Sequence, residues 1–180
     1  MEAESLRTLF VDRDGVINNK LEQDYVKKID ELEILPGVPE AFKIFSVLFE
    51  RIIVVTNQQG IGKGLMSEND LQIIHKKIKE EISNAGGRID DFFFCAHLAS
   101  ANCDCRKPKT GMAMQAKEKY PEIDFSNSLM IGDSEIDMRF ADSIGAAKIF
   151  ISAYPKSGNH RLEFKSLIEV AQHLFKESRG

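Results

Sequence analysis

Five short apolar runs alternate with stretches of helical spacing, and this alternation constrains the fold more than any other feature of the chain. The runs cover 6–11, 51–55, 92–95, 128–131 and 148–152. Between them, Val38, Ala41, Phe42, Phe45 and Leu48 recur at helical spacing after Pro36-Gly37. Ser67 caps a second helix, with Asp70 as its capping-box partner three residues on, and Leu71, Ile74, Ile78 and Ile82 form its inward stripe. Further helices are expected over 111–120, from Ser134 to a stop at Gly145, and over 162–176. Strands alternating with helices imply a mostly parallel sheet with helices on both faces, an α/β class. In such sheets ligands bind beyond the carboxyl ends of the strands.

Composition narrows the function. With 180 residues the chain fits a single domain, 1–180, and 43% hydrophobic residues can fill a core. The net charge is −4, from 24 basic and 28 acidic side chains, which argues against a dedicated nucleic-acid binder. No apolar run is long enough to span a bilayer, and no signal-peptide pattern is visible, so a cytoplasmic protein is expected, with no membrane or nucleic-acid partner. It is also expected to be a monomer.

The strand ends carry the chemistry. Asp12-Arg13-Asp14-Gly15 follows the first apolar run, Thr56 follows the second, and Gly132-Asp133 follows the fourth. A turn at Gly15 lets Asp12 and Asp14 approach one point. Asp137 lies in the first turn of a helix, where the dipole favours a carboxylate. Each Asp alone could be a helix or turn cap. Several together on one rim repel unless a cation neutralises them. Oxygen-only ligands suit magnesium, which completes its shell with water and substrate phosphate.

A second constellation involves sulfur. All three cysteines fall within eleven residues, as Cys95-x-His97-x5-Cys103-x-Cys105. Three thiols and an imidazole make a complete set for tetrahedral zinc, and four protein ligands imply a structural site at 95–105 with no vacancy for substrate. The loop runs straight into Arg106-Lys107-Pro108, so zinc would brace the segment presenting those cations. The other histidines carry no such signal: His75 is expected on a helix flank, and His160 and His173 at the surface. Gly60-Ile61-Gly62-Lys63-Gly64 hints at a phosphate loop. The spacing fails, however, and Lys63 is followed by Gly64 rather than Ser or Thr, so a flexible loop is expected.

Asp12-Arg13-Asp14-Gly15-Val16, Thr56-Asn57, Arg106-Lys107-Pro108 and Gly132-Asp133-x-x-x-Asp137 resemble, in order, the four motifs of the haloacid dehalogenase superfamily. The resemblance implies a three-layer α/β/α, Rossmann-like fold. The segments between motifs are short and already used by core elements, so no large cap domain is expected. By the same resemblance the chain is a magnesium-dependent phosphatase, in which Asp12 would accept the phosphoryl group and Asp14 would act as general acid/base. Asp12, the Asp14 backbone carbonyl and Asp133 would hold magnesium, with Asp137 orienting its water shell or Lys107. Thr56 and Asn57 would hold the phosphoryl group, and Lys107 would neutralise its charge.

The zinc set, Gln23-Asp24-Tyr25-Val26 and Leu35-Pro36-Gly37-Val38 narrow the resemblance to the histidinol-phosphatase and heptose-bisphosphate-phosphatase branch. One departure is Ala96, where that branch usually has proline; no ligand is lost. Arg106, Lys109, Tyr25 and Lys63 are the candidates for gripping the rest of a small phosphorylated metabolite. The loops 18–25 and 58–64 and the zinc loop through Lys109 would set specificity. The short zinc loop is similar to the histidinol-phosphate type. Gly111-Met112 and the chain length are similar to the heptose type, and D-glycero-D-manno-heptose 1,7-bisphosphate, losing its 7-phosphate, is the substrate expected. A zinc-loop module binding protein or nucleic acid without catalysis is the reading from another class.

Overall fold

The computed structural model describes residues 7–154 and 162–180. Six strands form one all-parallel sheet: β1 (Thr8–Val11), β2 (Arg51–Asn57), β3 (Asp91–Cys95), β4 (Ser128–Gly132), β5 (Ala147–Ile151) and β6 (Glu163–Phe164). Their order is β3-β2-β1-β4-β5-β6. The chain therefore winds outward from β1 in one direction and then crosses to β4 on its other side. The reversal opens a crevice at the carboxyl ends of β1 and β4, where Val11 pairs with Ile131 and the Asp12 N–H donates to the Ile131 carbonyl at 2.9 Å.

Alternation along the strands fills a core on each face. Leu9, Val11, Ile52 and Val54 point one way, onto α1 (Val38–Leu48), α3 (Glu68–Asn84) and α6 (Leu167–Glu177). Phe10, Ile53 and Val55 point the other way, onto α4 (Gly111–Lys119) and α5 (Glu135–Ile144). This is the expected three-layer α/β/α arrangement. Among the described residues no separate cap domain stands over the sheet, and no helix is long and apolar enough to cross a membrane.

The structure corrects several expectations. The loop expected at 58–64 contains a helical turn, α2 (Gln59–Gly62). The last helix begins at Leu167 rather than 162, because Glu163 and Phe164 pair with β5 and the Ser166 side chain accepts from the Glu169 N–H. Of the first run, Arg7 lies outside the strand and residue 6 outside the described residues. His160 also lies outside them, and His173 is half-buried against Phe164. His75 is buried rather than flanking.

The capping box of α3 is complete: Ser67 Oγ accepts from the Asp70 N–H, and Asp70 accepts from the Ser67 N–H. Ser67→Ala is expected to cost about 1 kcal/mol, read as a lower midpoint in urea unfolding.

Candidate active site

Carboxylates converge at the crevice because two strands end there and a helix begins beside them. Asp12 leaves β1, Asp133 leaves β4, and Asp137 follows in the first turn of α5. Oxygens of Asp12, Asp133 and Asp137 lie within 4.8 Å of one another. Two glycines allow this closeness. A Cβ on Gly132 would stand 2.2 Å from Asp137 Cβ, and one on Gly15, whose φ is +87°, 2.2 Å from Asp133 Oδ2.

The charge is balanced by a buried lysine. Lys107 Nζ donates to Asp12 Oδ1 at 2.8 Å, Asp137 Oδ1 at 2.6 Å and the Val55 carbonyl at 2.8 Å. Burial pushes the Asp12 carboxyl up to about 8, assisted by the charge of Asp137 and opposed by that of Lys107. For Lys107, burial favours the neutral amine, but Asp12 and Asp137 outweigh it and hold the ammonium above its ordinary value. Ser134 caps α5, and its Oγ donates to Asp137 Oδ2 at 2.7 Å, fixing that carboxylate.

Asp14 sits apart from this cluster. Arg13 grips its carboxylate from Nη2 at 2.8 and 3.1 Å and from Nε at 3.3 Å. Asn18 donates to Oδ1 at 3.0 Å and Gln58 to Oδ2 at 2.7 Å. Burial alone would raise its pKa, yet the Arg13 charge and these hydrogen bonds hold it below the usual carboxylate range.

Asp12, Asp14, Thr56, Arg106, Lys107 and Asp133 face one cavity of about 240 Å³. Tyr25 and Asn57 also line it; Lys63 and Lys109 do not. Lys63 Nζ lies 5.5 Å over the Tyr25 ring, and Lys109 Nζ is held by Asn102 Oδ1 at 2.9 Å within the cysteine loop. The Asn57 amide is committed to the Lys107 backbone, donating to its carbonyl at 3.1 Å and accepting from its N–H at 2.9 Å. The geometry thus makes Asn57 a clamp for Lys107 more than a grip on substrate. Arg106 Nη1 is buried without a partner. Of the loop 58–64 nothing lines the cavity, whereas Lys20, Leu21 and Asp24 do.

Sequence reasoning gave no individual role to Lys20, Asn18 and Gln58, which it placed only in loops expected to set specificity, and it missed a role for His75. Lys20 Nζ pairs with Asp133 Oδ2 at 2.7 Å. Gln58 links Asp14 to Thr56, donating also to Thr56 Oγ1 at 2.8 Å. His75 lies behind Arg13 and stays neutral, since burial and the Arg13 charge lower its pKa to about 3. Gln58 and Asn18 had a usable signal, because both are amides within four residues of a motif carboxylate or hydroxyl. The other two are placed by tertiary contacts alone.

The chemistry of the acidic cluster fits a hard cation. Asp133 Oδ1 is buried with no partner, and the converging donors are all oxygens. The cysteine loop fits a soft one. Cys95, Cys103 and Cys105 sulfurs stand 2.9–3.5 Å apart, and His97 Nδ1 lies 3.1 Å from Cys105 and 3.7 Å from Cys95. A zinc tetrahedron with sulfur at ~2.3 Å has edges of roughly 3.7 Å, close to this spread. Burial would raise the Cys103 thiol, but the Arg106 N–H and neighbouring groups pull it down to about 6, while burial and the other two thiols push Cys105 up to about 12. Such divergence among crowded thiols is what a shared cation would remove.

The comparisons with known proteins agree with this arrangement. The family described as polynucleotide kinase 3 phosphatase matches residues 8–147. A D-glycero-alpha-D-manno-heptose-1,7-bisphosphate 7-phosphatase of Mycobacterium bovis is 38% identical, over 91% of this chain and 88% of its own. The chain belongs to the phosphatases of the haloacid dehalogenase superfamily. An enzyme of the same name from Campylobacter jejuni is 35% identical over 95% of this chain and 96% of its own. The crystal structure of a D,D-heptose 1,7-bisphosphate phosphatase from B. bronchiseptica, complexed with magnesium and phosphate, superimposes with a TM-score of 0.84 at 28% identity, covering 95% of this chain and 99% of that one.

In this phosphatase, Cys105→Ser is expected to release zinc, measured by elemental analysis beside the unaltered protein. Absence of zinc from the unaltered protein would show that the thiol cluster is not a metal site.

Proposed function

We propose that this enzyme removes the 7-phosphate of D-glycero-D-manno-heptose 1,7-bisphosphate through an aspartyl-phosphate on Asp12. One observation carries the reading: the Asp12 carboxylate is held by a buried Lys107 in the cavity that Asp14, Thr56 and Asp133 share. The substrate is supported by the names of relatives matching nearly the whole chain.

The residues divide the work as follows. An Asp12 oxygen attacks phosphorus, and the bond from phosphorus to the ester oxygen breaks. Asp14, in its protonated form and still held by Arg13, gives its proton to the departing alkoxide. Asp14 then takes a proton from water as that water attacks phosphorus, releasing phosphate and restoring Asp12. Thr56 Oγ donates to the phosphoryl oxygens, and Lys107 offsets their charge beside Asp12. Asp12, the Asp14 carbonyl and Asp133 would hold magnesium, which when bound supplies positive charge to a phosphate otherwise repelled by Asp12. Arg106, with an unpaired Nη1, and Tyr25 face the rest of the sugar. Zinc on Cys95, His97, Cys103 and Cys105 would keep Arg106 and Lys107 in register. The whole chain acts as one domain and as a cytoplasmic monomer in this reading.

Three measurements test it. Asp12→Asn, nearly isosteric, is expected to abolish turnover while circular dichroism stays native; appreciable residual hydrolysis would refute the nucleophile. Asp14→Asn is expected to slow both steps on the order of 100-fold or more, with the first step alone partly rescued by an aryl phosphate that leaves without a proton. A panel containing both anomers of the heptose bisphosphate, histidinol phosphate and a 3′-phosphorylated oligonucleotide is expected to favour a heptose bisphosphate in kcat/KM. A higher value for either of the other two would overturn the substrate.

A further inference from the structure

Among the described residues, Arg13 is the bulkiest side chain wholly removed from solvent. A buried guanidinium needs acceptors for five N–H donors, and none can be relieved by deprotonation. Two side chains supply the acceptors seen here. Asp14 takes Nε and Nη2. On the opposite side, Nη1 lies 3.3 Å from His75 Nε2. Arginine only donates, so Nε2 is the accepting nitrogen and the ring proton sits on Nδ1.

His75 is in turn fixed by β3. Its ring stacks on Phe92 at 4.3 Å and 16°, and stands edge-on to Phe94 at 6.3 Å. Neither His75 nor these phenylalanines line the cavity. A helix and an edge strand thus converge on the back of Arg13, and Arg13 on the back of Asp14. Only the Asp14 carboxylate, with its side chain 23% exposed, reaches the cavity.

We propose that His75 is a positioning residue of the reaction, setting the Asp14 carboxyl against the leaving oxygen through Arg13. This rests on the reading of Asp14 as the acid and base. The physical reason is an acceptor count. Without an acceptor at His75, Arg13 Nη1 is left unpaired in a dry site, which is costly, so the guanidinium shifts to find a partner. Its planar, two-point hold carries Asp14 with it. A displacement of about 1 Å at a reacting group can cost ~100-fold in rate. The loss falls on proton delivery to the departing oxygen, so it grows with the basicity of the leaving group.

The test compares His75→Phe, which keeps the stack on Phe92 but has no acceptor, with His75→Gln, whose amide oxygen restores one. The measurement is kcat/KM, which reports the first phosphoryl transfer, across monoesters running from aryl to alkyl leaving groups. His75→Phe is expected to lose up to ~100-fold with alkyl esters and little with the best aryl ester, and His75→Gln to recover most of the difference. Equal losses across the series, or no loss, would overturn the proposal. Asp14→Asn is run alongside. A steeper series for Asp14→Asn, with the His75→Phe series keeping the slope of the unaltered enzyme, defeats His75 alone, whereas an unchanged slope for Asp14→Asn defeats the acid role and this inference with it. Thermal unfolding checks each variant, and His75→Leu takes the place of His75→Phe if the latter does not fold.

Discussion

A single ammonium, Lys107 Nζ, holds the site together. It bonds two carboxylates and a backbone carbonyl in a region that water hardly reaches. Burying any one of these charges alone would cost several kcal/mol, and their mutual attraction offsets that only with close geometry. The three groups come from far apart in the chain: Asp12 after β1, Asp137 in α5, and Lys107 from the loop after the cysteines. The parallel sheet, with its reversal between β1 and β4, is the device that brings them within reach.

Much of the surrounding chemistry serves to keep that ammonium and its neighbours still. Asn57 clamps the Lys107 backbone at two points, Ser134 fixes Asp137, and Gln58 ties Asp14 to Thr56. The cysteine cluster ends two residues before Lys107, so a metal there would act on the same segment from its other end. Polar side chains near the site therefore fall into those facing the cavity and those facing the frame. Lys63 and Lys109 belong to the frame, held by Tyr25 and Asn102, though their charge alone suggested substrate contact.

Several parts of the fold were legible because they rest on local rules. The apolar run at 6–11 marked a buried strand, realised as Thr8–Val11, and the Ser67–Asp70 box marked a helix start. Gly145 marked a stop, and it caps α5 in the left-handed region with φ +75°. The start of α6 was misjudged because Glu163 and Phe164 take their strand conformation from pairing with β5, a contact invisible in the local pattern. The turn at α2 was hidden by glycines that read as a loop.

The sequence by itself determined the layered α/β class, the strand ends that carry Asp12, Thr56 and Asp133, and the sulfur set at 95–105. Each depends on residue type and short spacing, which physical chemistry converts directly into conformation or ligand preference. Only the tertiary structure decided that Lys20 meets Asp133, that the Asn57 amide clamps the Lys107 backbone, and that His75 backs Arg13. Those contacts join residues 113, 50 and 62 positions apart. Their energies depend on burial and on which partner is nearest in space, and neither is encoded in any window of neighbouring residues.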